Sequence, residues 1–145
     1  MRARTNVILF AVLLAVVAGC GGSDSNVFEL TAGTCFNDPP LDNQQVREVP
    51  IVNCSEPHDN ETYALVAVPG DAYPGPEQVD AIAESECIIE FANYVGIDYA
   101  DSQYLAQYFA PSEASWSAGD RIIVCYLFDS EADVQLQGSA RDSGR

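Results

Sequence analysis

The feature that most constrains this chain is its set of five cysteines: Cys20, hard against an N-terminal apolar run, and Cys35, Cys54, Cys87 and Cys125 spread through the remainder. The last four are separated by 19, 33 and 38 residues with no Cys-x-x-Cys pair. That spacing argues against thioredoxin-like redox chemistry and against zinc knuckles, and favours two structural disulfides. Three connectivities are open. The sequential one, Cys35 with Cys54 and Cys87 with Cys125, is expected because it closes loops of moderate size, each bridge contributing about 2 to 4 kcal/mol by restricting the unfolded chain.

The odd cysteine is accounted for by the N-terminus. Arg2 and Arg4 precede an unbroken apolar run from Val7 to Ala18, the layout of a secretory signal. The run is too short to cross bilayer hydrocarbon, which takes about 20 apolar residues. Val17-Ala18-Gly19-Cys20 is similar to a bacterial lipobox. That resemblance implies cleavage after a signal peptide of residues 1–19 and lipidation of Cys20, with palmitate among the expected acyl groups. Stable anchoring follows from two or more such chains. The expected location is the extracytoplasmic face of the cell membrane, with a soluble secreted form as the rival.

Charge narrows the partners. The 145 residues hold 22 Asp and Glu against 6 basic residues, all of them Arg, for a net charge of −16. Loss of residues 1–19 removes two arginines and no acid, so the exported part is more anionic still. Phosphate neutralisation needs Lys and Arg, so nucleic acid is not an expected partner. An acidic surface favours solubility and cationic partners, and a halophile's surface has the same composition.

A 48% hydrophobic chain of this length suits one domain with a real core. Residues 20–26 read as lipid anchor and flexible tether, residues 27–138 as the domain, and residues 139–145 as a frayed tail. Val46–Val52 and Thr62–Val68 read as neighbouring strands from their β-branched and aromatic content. Pro76 suits the first position of a helix running from Glu77 to about Val95, with Gly96 as its C-terminal cap. Its apolar residues at Val79, Ile82, Ala83, Cys87, Phe91, Tyr94 and Val95 form one stripe. Tyr104–Phe109 and Ile122–Phe128 read as further strands, Ser117–Asp120 as a turn, and Val134–Gln137 as a short edge strand. The expected fold class is α+β: a small antiparallel sheet packed by one long helix, with two disulfides.

Four segments surround the cysteines in order: Thr34-Cys35-Phe36; Cys54-Ser55-Glu56-Pro57-His58-Asp59-Asn60-Glu61; Cys87 with Tyr94-Val95-Gly96; and Trp116-Ser117-Ala118-Gly119-Asp120-Arg121 ahead of Cys125. Together they resemble the septum formation domain family of actinobacterial envelope lipoproteins and membrane proteins, which carries a Cys-x-x-Pro-His and a Trp-x-x-Gly-Asp-Arg segment. The resemblance covers about Thr34 to Phe128, and Leu136-Gln137-Gly138-Ser139 is similar to the family's closing strand. It implies an accessory role in the envelope, with a link to septation, and it brings no catalytic residues.

His58 is the sole histidine, so a two-histidine metal site cannot form within one chain. With Asp59 and Glu61 it could hold a divalent cation or serve a cell-wall or metal-assisted hydrolase. The favoured reading is that it packs beside the Cys54 bridge, because neighbours in an extended segment point to opposite faces. Asp129, Glu131 and Asp133 alternate as at the start of a calcium loop, but Val134 and Ala140 stand where its glycine and bidentate glutamate belong, which leaves a solvated acidic turn. Arg121 beside Asp120 is expected to fix local structure through charge-assisted hydrogen bonds. Trp116 and the tyrosines either fill the core or form a platform for a sugar or peptide. His58, Glu61, Trp116, Asp120 and Arg121 are the candidate binding residues, with no catalytic residue, metal or cofactor expected. The function expected is a non-enzymatic, lipid-anchored domain that binds an envelope protein or cell-wall component, with the hydrolase and an aromatic-platform ligand binder as alternatives.

Overall fold

A computed structural model of the chain describes residues 24–39 and 46–145. Cys20, the signal peptide and residues 21–23 of the tether lie outside the described residues.

The strands are β1 (Asp24–Asn26), β2 (Cys35–Phe36), β3 (Glu48–Val52), β4 (Asn60–Ala67), β5 (Tyr104–Phe109) and β6 (Ile122–Asp129). They form one antiparallel sheet in the order β1-β3-β2-β4-β6-β5. Among the described residues there are also a long helix, α1 (Pro76–Val95), a short one, α2 (Glu113–Ser117), and 3-10 turns at Val27–Glu29 and Tyr99–Asp101. This is the expected α+β arrangement.

α1 begins at Pro76, whose missing N–H belongs to the unpaired first turn anyway. It ends at Gly96, which takes the left-handed conformation at φ 85° and donates its N–H to the Ala92 carbonyl. Val79, Ala83, Cys87, Phe91, Tyr94 and Val95 are buried, as the stripe predicts. They pack on Tyr63, Ile123, Cys125 and Leu127 of β4 and β6. The opposite face of the sheet carries a second core of Phe36, Val49 and Val124, covered by Val27 and Leu30 from the 3-10 turn after β1 and the residue that follows it. Cys87–Cys125 ties α1 to β6, and Cys35–Cys54 ties β2 to the turn ahead of β4.

Several expectations are corrected. β3 and β4 are not neighbours, because the two residues of β2 lie between them and pair with both. A two-residue strand leaves no periodicity to read. The sheet starts at Asp24, inside the segment expected to be tether, since an edge strand needs only backbone pairing and tolerates polar side chains. The closing strand at 134–137 reduces to one bridge between His58 and Leu136. The tail does not fray: Ala140 is buried, and the Asp142 and Gly144 N–H groups donate to the Tyr94 and Val95 carbonyls at the end of α1.

Candidate functional site

β4 carries an unusual polar cluster into the core. Asn60 to Ala64 are all buried, because β4 is a central strand covered on both faces and a bulge between Thr62 and Ala64 shifts its register against β6. Glu61 is fully buried within this run. A buried carboxylate needs hydrogen-bond donors to offset its desolvation, and Glu61 has three. Its Oε1 accepts from the Tyr94 hydroxyl and the Ser139 hydroxyl, each at 2.5 Å, and its Oε2 accepts from the Ala140 N–H at 2.6 Å. One side chain thereby joins β4, α1 and the C-terminal segment. Arg141 closes the arrangement by lying over the Tyr94 ring, 4.2 Å from its centroid. Burial, assisted by the bond to Glu61, pushes the Tyr94 hydroxyl up to about 12.

His58 is also fully buried. Its Nδ1 lies 2.8 Å from the Glu56 carbonyl oxygen, and because a carbonyl can only accept, Nδ1 is the donor. Nε2 has no hydrogen-bond partner among the described residues. Backbone bonds between His58 and Leu136 hold the segment against the C-terminal stretch. The acid partner that a hydrolase would require is not engaged. Asp59 accepts from the Asp38 N–H and from Gln135 Nε2, and the Glu61 oxygens hold the donors named above.

The lesser reading, a cation held by His58, Asp59 and Glu61, gives way to a different grouping. The close set of metal-capable atoms among the described residues is Cys35 Sγ, Cys54 Sγ and a Glu61 oxygen, all within 4.8 Å of one another. Both sulfurs are spent in the Cys35–Cys54 bond, and the ligand form of cysteine is the thiolate. As the fold stands the group is a disulfide packed beside a satisfied carboxylate.

Trp116 does not form an exposed platform. It lies in α2 rather than in a loop and is 5% exposed. Its indole N–H donates to the Asp71 carbonyl at 3.2 Å. Arg121 stacks 3.8 Å from its ring centroid and donates through Nη1 to the Trp116 and Asp120 carbonyls. Asp120 accepts from the Ser115 hydroxyl and from the Ile122 N–H, joining α2 to β6. Ser112 and Ser115 cap the start of α2 reciprocally. The Trp-x-x-Gly-Asp-Arg segment is thus a self-bonded corner.

An open cleft among the described residues lies elsewhere. It measures about 570 Å³ and is lined by Asp38, Asp59, Asp129, Glu131 and Asp133 together with Asn60, Phe128, Val134 and Gln135. Asp129, Glu131 and Asp133 are the acidic turn of the sequence reading. Asp38 and Asp59 join them through the pairing of β2, β4 and β6, and no local pattern announces that convergence. The size lies within the ordinary range for ligand and peptide sites, and the lining presents carboxylates and hydrogen-bonding amides.

No helix among the described residues is long and apolar enough to cross a membrane. A family model described as septum formation matches residues 20–125. No curated protein and no solved structure matches the chain.

Proposed function

The chain belongs to the septum formation family, and on that footing we propose that it is a lipid-anchored accessory domain on the extracytoplasmic face of the bacterial membrane, one that binds a partner rather than turning over a substrate. The family suggests a role in cell division or in the envelope. The observation that carries the outside location is the pair of closed disulfides. They belong to an oxidising compartment, and they use every cysteine except Cys20, the residue that the lipobox-like junction marks for acylation.

Binding is favoured over hydrolysis by the burial of His58 and by the engagement of both neighbouring carboxylates with structural donors. An aromatic sugar platform is disfavoured by the burial of Trp116. The acidic cleft is the recognition surface in this reading, and a cationic segment of an envelope protein or cell-wall component is its partner.

The test takes protein purified from membranes. Its N-terminal peptide is expected to begin at Cys20 and to carry a diacylglyceryl group with palmitate, and Cys20→Ala is expected to abolish that mass. An unmodified N-terminus would overturn the anchor. Crosslinked capture from envelope extracts is expected to weaken for Glu131→Lys in the cleft. Equal capture by wild type and variant would remove the cleft from the proposal.

A further inference from the structure

We propose that the domain rests on the bilayer through the corner formed by β1 and the start of β3, with Phe28 and Val46 entering the lipid interface. The inference depends on the acylation of Cys20 proposed above. Four residue steps separate Cys20 from Asp24, where β1 begins, and four residues span at most about 14 Å. A domain of this size is roughly 35 Å across. The tether therefore holds the β1 edge of the sheet nearer the membrane than the rest of the domain, and the side chains that edge presents decide how it rests there.

Among the described residues β1 is the terminal strand of the sheet, paired with β3. Asn26 lies opposite Glu48, and the Val27 N–H donates to the Arg47 carbonyl, so the chain beyond β1 runs alongside the chain ahead of β3. This places Phe28 and Val46 at the same corner. They are 45% and 40% exposed, large apolar side chains left in solvent while Val27, between β1 and Phe28, is buried in the core. Phe and aliphatic side chains on interfacial segments bury at the boundary between headgroups and acyl chains. Arg47, exposed between Val46 and Glu48, provides a guanidinium at headgroup height. Glu29 and Glu48 are exposed at the same corner, and Asp24 at the other end of the short β1, opposite Pro50; all three remain in water, which limits the contact to a shallow one and weakens it on anionic lipid. The acyl anchor supplies the affinity and makes this contact intramolecular, so a small apolar area is enough to set the orientation.

The experiment uses the full lipoprotein, purified from membranes and reconstituted in phosphatidylcholine vesicles with brominated acyl chains. Tryptophan is introduced by Phe28→Trp or, as a second probe of the same corner, by Val46→Trp. Ile89→Trp, 53% exposed on α1 across the sheet, serves as the control. The buried Trp116 signal of wild type is subtracted from each. Emission from the two corner probes is expected to fall about twofold relative to unbrominated vesicles, while the Ile89 probe stays unchanged. Acylated protein in which neither corner probe is quenched, or in which the Ile89 probe is quenched instead, overturns the proposed orientation. Absence of the lipid, read from the N-terminal mass, overturns the anchor itself.

Discussion

Glu61 on β4 and Tyr94 on α1 are joined by a hydrogen bond of 2.5 Å in the interior. The same carboxylate receives the Ser139 hydroxyl and the Ala140 N–H, so the helix and the C-terminal segment are docked on one residue. Removing the carboxylate leaves three donors without their acceptor, and each buried unsatisfied group costs about 1 to 3 kcal/mol. Glu61→Ala is expected to destabilise the domain by about 3 kcal/mol or more, and Glu61→Gln by less, since its amide oxygen still accepts. Urea unfolding measures both. A loss under about 1 kcal/mol for Glu61→Ala would contradict the docking role.

The burial of tyrosine hydroxyls sets an upper pH limit on the fold. Burial drives the Tyr63 hydroxyl upward from 10.0, and raises those of Tyr94 and Tyr126 to about 12. The folded state therefore keeps these protons to higher pH than the unfolded chain does. The stability they contribute is complete below pH 10.0 and is lost as pH climbs from 10.0 through about 12. The phenolate absorbance of these three, read as the difference between wild type and their Tyr→Phe variants, is expected to change together with the circular dichroism in that window. Phenolate from these three, isolated by difference against their Tyr→Phe variants and appearing at pH 10.0 with the fold intact, would show that these hydroxyls are solvated.

The two disulfides differ in what their loss costs. Their loops span 19 and 38 residues, and a doubling of loop length is worth about 0.6 kcal/mol of closure entropy. Cys87 and Cys125 are also both buried between α1 and β6, whereas Cys54 is partly exposed. Replacing Cys87 and Cys125 by Ser is expected to cost about 4 kcal/mol, against about 3 kcal/mol for Cys35 and Cys54. Thermal unfolding of the two double variants ranks them, and the reverse order would sink the assignment of the larger role to the helix bridge.

The sequence revealed elements that carry their own periodicity and hid those that depend on distant partners. The stripe from Val79 to Val95 has a spacing of three and four, so α1 was legible nearly to the residue. β6 was legible from a dense apolar run. β2 was not, because Cys35 and Phe36 form a strand only by filling the space between β3 and β4. The tail looked frayed because Ser139, Arg141 and Asp142 are polar, yet each finds a partner supplied from elsewhere: Glu61, the Tyr94 ring and the Tyr94 carbonyl. At the candidate site, His58 and Glu61 were picked out by residue type, but their burial depends on the β4 bulge and on Leu136 and Ala140 returning across them. The acidic cleft needed three strands to assemble, and only its Asp129 to Asp133 rim was visible in the chain.

The corner after β5 gives the most direct optical prediction. Trp116 is enclosed by Arg121 on its face, Tyr73 at 5.7 Å between ring centroids and the Asp71 carbonyl at its N–H. Arg121 is held there by its bonds to the Trp116 and Asp120 carbonyls at the end of α2. A guanidinium is planar and donates from several positions, so it stacks and bonds at once, whereas an ammonium cannot do both. Arg121→Ala and Arg121→Lys are therefore both expected to loosen α2, costing about 1 to 2 kcal/mol from the lost stacking and hydrogen bonds. The single tryptophan reports the change without a label: its emission should shift to longer wavelength and become accessible to acrylamide in both variants. Wild-type emission already typical of an exposed indole would contradict the enclosure of Trp116, and full rescue by lysine would show that charge alone, rather than the stacked plane, holds the corner.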